Sequence, residues 1–480
     1  MEGFHMAIQV DVAILGGGPG GYTAAIRAAQ QGKSVAIVEM DKVGGTCLHR
    51  GCIPSKSLLR SAEVYRTILQ SSKYGIAINT DDITYEFSSV QQTKLDKVDQ
   101  LYKGLQGLMK RHRIQMIHGK GRVTGPSIFS PRSGAIAVEL ADGEMESVVG
   151  QHVIIATGSK PRSIPGLEPD GKLILNSDHA LELDKLPPSM LVVGGGVIGV
   201  EWATLLHDFG VQVTVVEVGA RLLPGEDAEI SLEMTRQLSK RGIRVLTGVQ
   251  LDTESFTVQD EGFSIRAQTA DGNVVLESNQ MLVSVGRAAN VEDIGLENTD
   301  VKVKNGVIVV NEVGQTSEPH IYAIGDAIGG VQLAHAASHE GIVAADHICG
   351  QAVHPVASHL IPRCIYSYPE VASYGYTEAA AVAAGYEIKK AKVPFAAIGK
   401  AIISGHPEGF VKVIADKATD NILGVHIIGQ HATELISEAA LSGWLNAAPW
   451  EVGTMVHPHP TLSEAIAEAM LGVDGRSISL

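Results

Sequence analysis

Two stretches of this chain repeat one order, strand, glycine turn, helix and strand, and that repeat limits its folds more than any other feature. Residues 9–15 form an apolar, β-branched run suited to a buried strand. They lead directly into Gly16-Gly17-Gly18-Pro19-Gly20-Gly21, a helical stretch over 22–29 and a second strand over 34–39. In such a unit Gly16 permits the tight turn, Gly18 lets a pyrophosphate reach the backbone, and Gly21 lets helix and strand pack closely. The helix N-terminus favours the phosphates, because its free amides and dipole attract negative charge. Glu39 ends the second strand, where an acid accepts bonds from ribose hydroxyls. The pattern returns with a strand over 189–193, a turn carrying Gly194, Gly196 and Gly199, a helix over 200–209 and a strand over 211–217. Two fingerprints imply two dinucleotides. Glu217 would repel a 2′-phosphate and accept bonds from a free hydroxyl, which favours NAD over NADP; Arg221, a few residues on, weighs the other way. Two such sites suit a chain that moves electrons between two bound redox cofactors. The alternative is a tandem duplication with one degenerate site.

At 480 residues the chain exceeds one core and implies about three or four domains. Its low aromatic content and 53 glycines fit a turn-rich α/β protein. No apolar run reaches the roughly 18 residues of a membrane span. The first residues lack the basic and apolar regions of a signal peptide, Met6 reads as the natural start, and a cytoplasmic location is expected. A formal net charge of −15 argues against a nucleic-acid partner, since binding phosphate backbones calls for clustered Lys and Arg. The cysteines are Cys47, Cys52, Cys349 and Cys364. In a cytosolic chain a close pair is more often catalytic or metal-binding than a structural bridge. No second close Cys or His pair follows at zinc-finger spacing, so no metal is expected and redox chemistry remains. Cys349 and Cys364 read as core residues.

Cys47 and Cys52 lie just after the first nucleotide unit, in Gly44-Gly45-Thr46-Cys47-Leu48-His49-Arg50-Gly51-Cys52-Ile53-Pro54-Ser55-Lys56. Two cysteines so spaced can close a small ring at a helix start if the backbone bends at Gly51, and helix amides favour the reactive thiolate. This stretch resembles the active-site signature of the pyridine nucleotide–disulfide oxidoreductases, most closely the branch that oxidises dihydrolipoyl groups. Further matching blocks, in the family's order, are Ile154-Ile155-Ala156-Thr157-Gly158-Ser159, Val285-Gly286-Arg287, Ala323-Ile324-Gly325-Asp326-Ala327 and His457-Pro458-His459-Pro460-Thr461-Leu462-Ser463-Glu464. One departure stands out: His49-Arg50 occupies the place where the family most often has Asn-Val.

The resemblance implies an α/β fold with two Rossmann-like dinucleotide-binding domains, a central domain and a C-terminal α+β dimerisation domain. The expected divisions are 1–150 for FAD, 151–280 for NAD, 281–350 completing the FAD site and 351–480 for the interface. It implies FAD at Gly16, Gly18, Gly21, Glu39, Thr157, Gly158 and Asp326, and NAD at Gly194, Gly196, Gly199, Glu217 and Gly286. Lys56 is expected near the flavin with Glu201 as its partner, and Cys47 and Cys52 as a redox disulfide. His459 is the implied acid–base group, held by Glu464, while His457 supports. A homodimer with shared active sites is implied, along with partners carrying dihydrolipoyl groups on the acyltransferase core of a 2-oxo acid dehydrogenase complex. Strands over 410–414 and 422–428 and a helix over 433–446 supply the interface. Glutathione-type relatives usually carry a second lysine where Ser55 stands, and mercuric reductases end in a cysteine pair that Gly475-Arg476-Ser477-Ile478-Ser479-Leu480 lacks. The remaining alternatives are another NAD(P)H-dependent flavin disulfide reductase and a non-catalytic FAD-binding assembly subunit.

Overall fold

Each glycine turn in the sequence closes a parallel strand pair, and the sheets grow outward from these pairs. A computed structural model describes residues 7–126, 132–270 and 272–479; the Met6 start lies outside them. The chain divides into two compact units, one made of residues 1–57, 91–162 and 287–356, the other of 58–90, 163–286 and 357–480. Among the described residues no helix is long and apolar enough to cross a membrane.

In the first unit Ile8–Leu15 lies between Val35–Glu39 and Met145–Ile155, all parallel, and Ile321–Ala323 extends the sheet beyond Met145–Ile155. Gln115–Val123 runs parallel to Val35–Glu39 at its start, then pairs antiparallel with Ile136–Leu140. The inner strands are buried on both faces, as crossover helices demand. Helix Pro19–Gln30 packs on helix Ala334–Ile348, where Arg27 donates to Asp346 at 2.6 Å.

The second unit contains a five-stranded parallel sheet in the order Arg244–Thr247, Gln212–Glu217, Ser189–Val193, Gln280–Val283 and Ile174–Leu175. It also carries a C-terminal antiparallel sheet in the order Arg363–Ile365, Glu370–Gly375, Ile422–Gly429, Phe410–Asp416 and Ile388–Pro394. Helices Ala432–Trp444 and Glu464–Gly472 pack against that sheet. The first of them buries Ile436 and Ala439 and leaves Leu441, Trp444 and Leu445 exposed. Cys364 is half-buried with its sulfur 3.8 Å from the Thr433 carbonyl, and Cys349 is half-buried at a helix end, so neither is the full core residue expected.

Strand Phe410–Asp416 is buried throughout, and it includes a lysine. Lys412 is 1% exposed, and its ammonium meets Asp227 at 2.9 Å, Glu229 at 2.9 Å and Glu378 at 2.7 Å. Burial opposes ionisation of Asp227 and Glu229, but bonds to Lys412 and its neighbours hold both carboxyls below the ordinary range. His426, opposite Lys412 across the sheet, is fully buried, and burial lowers its pKa. Lys412→Met should leave buried Asp227 without its ammonium partner and weaken the hold on Glu229 and Glu378, which keep Lys392 and Lys390, and cost about 3–5 kcal/mol in denaturant unfolding. The unfolded chain takes protons that the folded chain refuses, first on His426 and then on these acids. Stability should therefore fall progressively as pH drops below about 6.5, the ordinary histidine value.

Candidate active site

The two glycine turns have the same construction. Gly16 has φ +104°, and a Cβ there would sit 2.3 Å from the Ala156 carbonyl oxygen. Gly194 has φ +109°, with Ser284 oxygen at 2.5 Å from the same added atom. A Cβ on Gly21 would lie 2.0 Å from Gly16 oxygen, and one on Gly199 would lie 1.9 Å from Gly194 oxygen. Only glycine permits these contacts between helix and turn. Gly18 and Gly196 differ from the others, because a Cβ on either would meet nothing within 4 Å. Each caps a twelve-residue helix, Pro19–Gln30 or Val197–Asp208, without any side-chain cap. Open space in front of uncapped helix amides fits a dinucleotide pyrophosphate at both turns. Gly158 and Gly286, with φ +69° and +102°, likewise border open space.

The terminal acids repeat too. Glu39 accepts the Gly17 amide at 2.7 Å and the Asp41 amide at 2.9 Å. Glu217 accepts the Gly195 and Gly219 amides, each at 2.6 Å. Each carboxylate is thus held in place by its own turn. Arg221 donates to the Pro224 carbonyl at 2.9 Å.

Beside the first turn, Thr157 and Asn290 exchange hydrogen bonds of 2.7 and 3.0 Å. Asp326 accepts from Ser159 at 2.5 Å, and Arg287 donates to the Ser159 hydroxyl and carbonyl at 2.7 and 2.8 Å. Glu340 accepts the Gly325 amide at 2.7 Å, and burial raises its pKa. Sequence reasoning assigned no role to Asn290, Ser159, Arg287 or Glu340. Ser159 and Arg287 stood inside matching blocks, which was the available signal.

The cysteine segment sits directly on the first turn. Gly44 donates to the Gly17 carbonyl at 2.8 Å, and a Cβ on Gly45 would approach Gly18 Cα to 2.8 Å. Cys47 lies in helix Gly45–Arg50, and Cys52 opens helix Cys52–Leu69. The hydrogen-bonded Cys52 and burial push the Cys47 thiol far up, while the Lys56 ammonium pulls it down. The structure therefore brings Cys47, Cys52 and Lys56 together. Tyr22, on the dinucleotide helix, is raised by burial and by both cysteines, a proximity that sequence spacing did not reveal. Glu201 is buried and accepts the Tyr366 amide at 2.9 Å.

His459 and Glu464 also meet, with Nδ1 2.8 Å from the carboxylate. Burial works against ionisation of Glu464, yet His459 and the Thr461 amide hold its carboxyl below the ordinary range. The His459 side chain is 78% exposed in the single chain, and this pairing leaves Nε2 to act on a proton. His457 differs: its ring is buried, with one nitrogen 2.7 Å from Glu438 and the other 3.0 Å from the Met455 carbonyl. It supports the loop.

Residues 10–341 match the family described as pyridine nucleotide-disulphide oxidoreductase, and residues 361–470 match that family's dimerisation domain. The chain is 56% identical over 474 residues to a dihydrolipoyl dehydrogenase of Bacillus subtilis (strain 168), covering 98% of this chain and 100% of the relative. A dihydrolipoyl dehydrogenase of Zymomonas mobilis is 40% identical over 475 residues, covering 98% and 100%. The fold is similar to the crystal structure of LpdA from Mycobacterium tuberculosis, with a TM-score of 0.88 at 26% identity, covering 97% of this chain and 100% of that one.

The turn geometry separates two kinds of glycine substitution. Gly18→Ala should leave the thermal unfolding of the apoprotein unchanged and weaken FAD retention, and Gly196→Ala should do the same for NAD. Gly21→Ala and Gly199→Ala should lower stability outright, because carbonyl oxygens occupy the space of the new methyl. Calorimetry and flavin content measure both. For the coenzyme, kcat/KM with NAD should exceed that with NADP by at least about 10²-fold, since Glu217 would face the extra phosphate.

Proposed function

The chain belongs to the pyridine nucleotide-disulphide oxidoreductase family, and from that premise we propose how its residues oxidise dihydrolipoyl groups to lipoyl groups with reduction of NAD. The reading is carried by one observation: a contacting cysteine pair seated on a dinucleotide turn, beside a lysine.

FAD, when bound, supplies the two-electron acceptor between the dithiol and NAD. Gly16, Gly18, Gly21, Glu39, Thr157, Gly158 and Asp326 would hold it, and Gly194, Gly196, Gly199, Glu217 and Gly286 would hold NAD. The protein's own chemistry starts with His459, which takes the proton of a dihydrolipoyl thiol while Glu464 holds and stabilises the charged ring. The resulting thiolate attacks Cys47 Sγ, the Cys47–Cys52 bond breaks, and Cys52 leaves as thiolate. The second lipoyl thiol then attacks the lipoyl sulfur of the mixed disulfide, its proton passing to the departing Cys47 sulfur, which releases oxidised lipoyl and leaves Cys47 and Cys52 reduced. Lys56, close enough to lower the Cys47 pKa, favours negative charge at the pair.

The working form is a homodimer in which His459 of the partner subunit serves Cys47 and Cys52 of the first chain. The exposed Leu441, Trp444 and Leu445 suit that contact. The dihydrolipoyl groups are those of an acyltransferase core of a 2-oxo acid dehydrogenase complex, and the enzyme works in the cytoplasm.

Shared sites have a distinctive consequence. His459→Gln alone should lose about 10²–10⁴-fold in rate. Mixing inactive Cys47→Ser and His459→Gln subunits and reassociating them should restore up to about half the wild-type activity per dimer, since one of two sites escapes both defects. No recovery in verified heterodimers would place base and disulfide on one chain.

A further inference from the structure

The two residues that depart from the usual family pattern both make specific contacts. His49 Nε2 lies 3.0 Å from the Val43 carbonyl, and its ring meets Tyr102 edge-on at 5.1 Å and 77°. Arg50 donates to Asp41 at 2.5 Å. The Asp41 amide in turn donates to Glu39, which also accepts the Gly17 amide. The segment between the cysteines is therefore fastened to the loop after Glu39, and that loop to the dinucleotide turn.

We propose that His49 and Arg50 are positioning residues that clamp the redox segment and thereby set the dithiol–disulfide equilibrium of Cys47 and Cys52. The side chains of Cys47 and Cys52 lie within hydrogen-bonding reach of each other at the two ends of the clamped segment. A dithiol held with its sulfurs together loses less freedom on ring closure, so the clamp favours the disulfide. Half-buried His49, packed on Tyr102, contributes more than the exposed Arg50–Asp41 pair. Without the clamp, the dithiol gains freedom and the equilibrium moves toward it.

The inference rests on the proposed redox role of the pair, and one experiment separates the two. Holoenzyme is equilibrated in dithiothreitol buffers of graded composition, trapped with iodoacetamide, and the peptide carrying both cysteines is quantified by mass spectrometry. In each exchange two electrons and two protons pass from dithiothreitol to Cys47 and Cys52. The buffer's own sulfur–sulfur bond forms as the protein's breaks. The His49→Asn/Arg50→Val double variant should shift the equilibrium toward dithiol by at least about threefold. Tyr102→Leu should shift it the same way. His49→Gln, which keeps a donor for the Val43 carbonyl but loses the ring against Tyr102, should shift it the same way by less than the double variant. An unchanged equilibrium in the double variant, or a shift toward disulfide, overturns the clamp. A wild-type pair that forms no disulfide in any buffer overturns the redox role, and the clamp with it.

Discussion

The fold depends on two close backbone approaches, where a helix start presses against the glycine turn that precedes it. The Gly21 and Gly199 positions leave about 2 Å between an imagined Cβ and the turn carbonyl, so no side chain fits. That approach sets the angle at which each helix leaves its strand, and hence where its uncapped amides point. The terminal carboxylates then fasten to the turns, Glu39 to Gly17 and Glu217 to Gly195. Everything seated on the first turn inherits this geometry, including Gly44, Gly45 and the cysteine pair that follows.

Electrostatics divides the work among groups of one chemical type. Two histidines two residues apart have different surroundings: His457 is buried with both nitrogens engaged, and His459 is exposed with one nitrogen on Glu464. Only the second presents its ring to solvent in the single chain. Cys47, in turn, is held far from ionisation by its partner thiol and by burial.

Much of this was legible because the local rules are strong. The strand–turn–helix units, their boundaries to within a few residues, and the proximity of His459 to Glu464 follow from patterns a few residues long. Less legible was whatever depended on distant segments. Lys412 sits among apolar neighbours in a strand that reads as core, and only its three acidic partners, two from around residue 228 and one at 378, make it tolerable there. Tyr22, Asn290 and Glu340 carried no distinguishing spacing, and their places became visible only with the packing around the first turn.

By itself the sequence determined two glycine turns of dinucleotide-binding form, a close cysteine pair beside the first, and a histidine–glutamate loop near the end. Glycine requirements, short-range spacing and helix–strand periodicity act over a few residues and leave a direct trace in the residue order. The tertiary structure decided which segments share a sheet, since residues 321–323 complete the sheet begun at residue 8 by pairing with Met145–Ile155. It also decided what His49 and Arg50 do, because their partners Val43, Tyr102 and Asp41 are selected by packing. Strand pairing and side-chain packing join residues far apart in the chain, and such contacts depend on the whole folded arrangement.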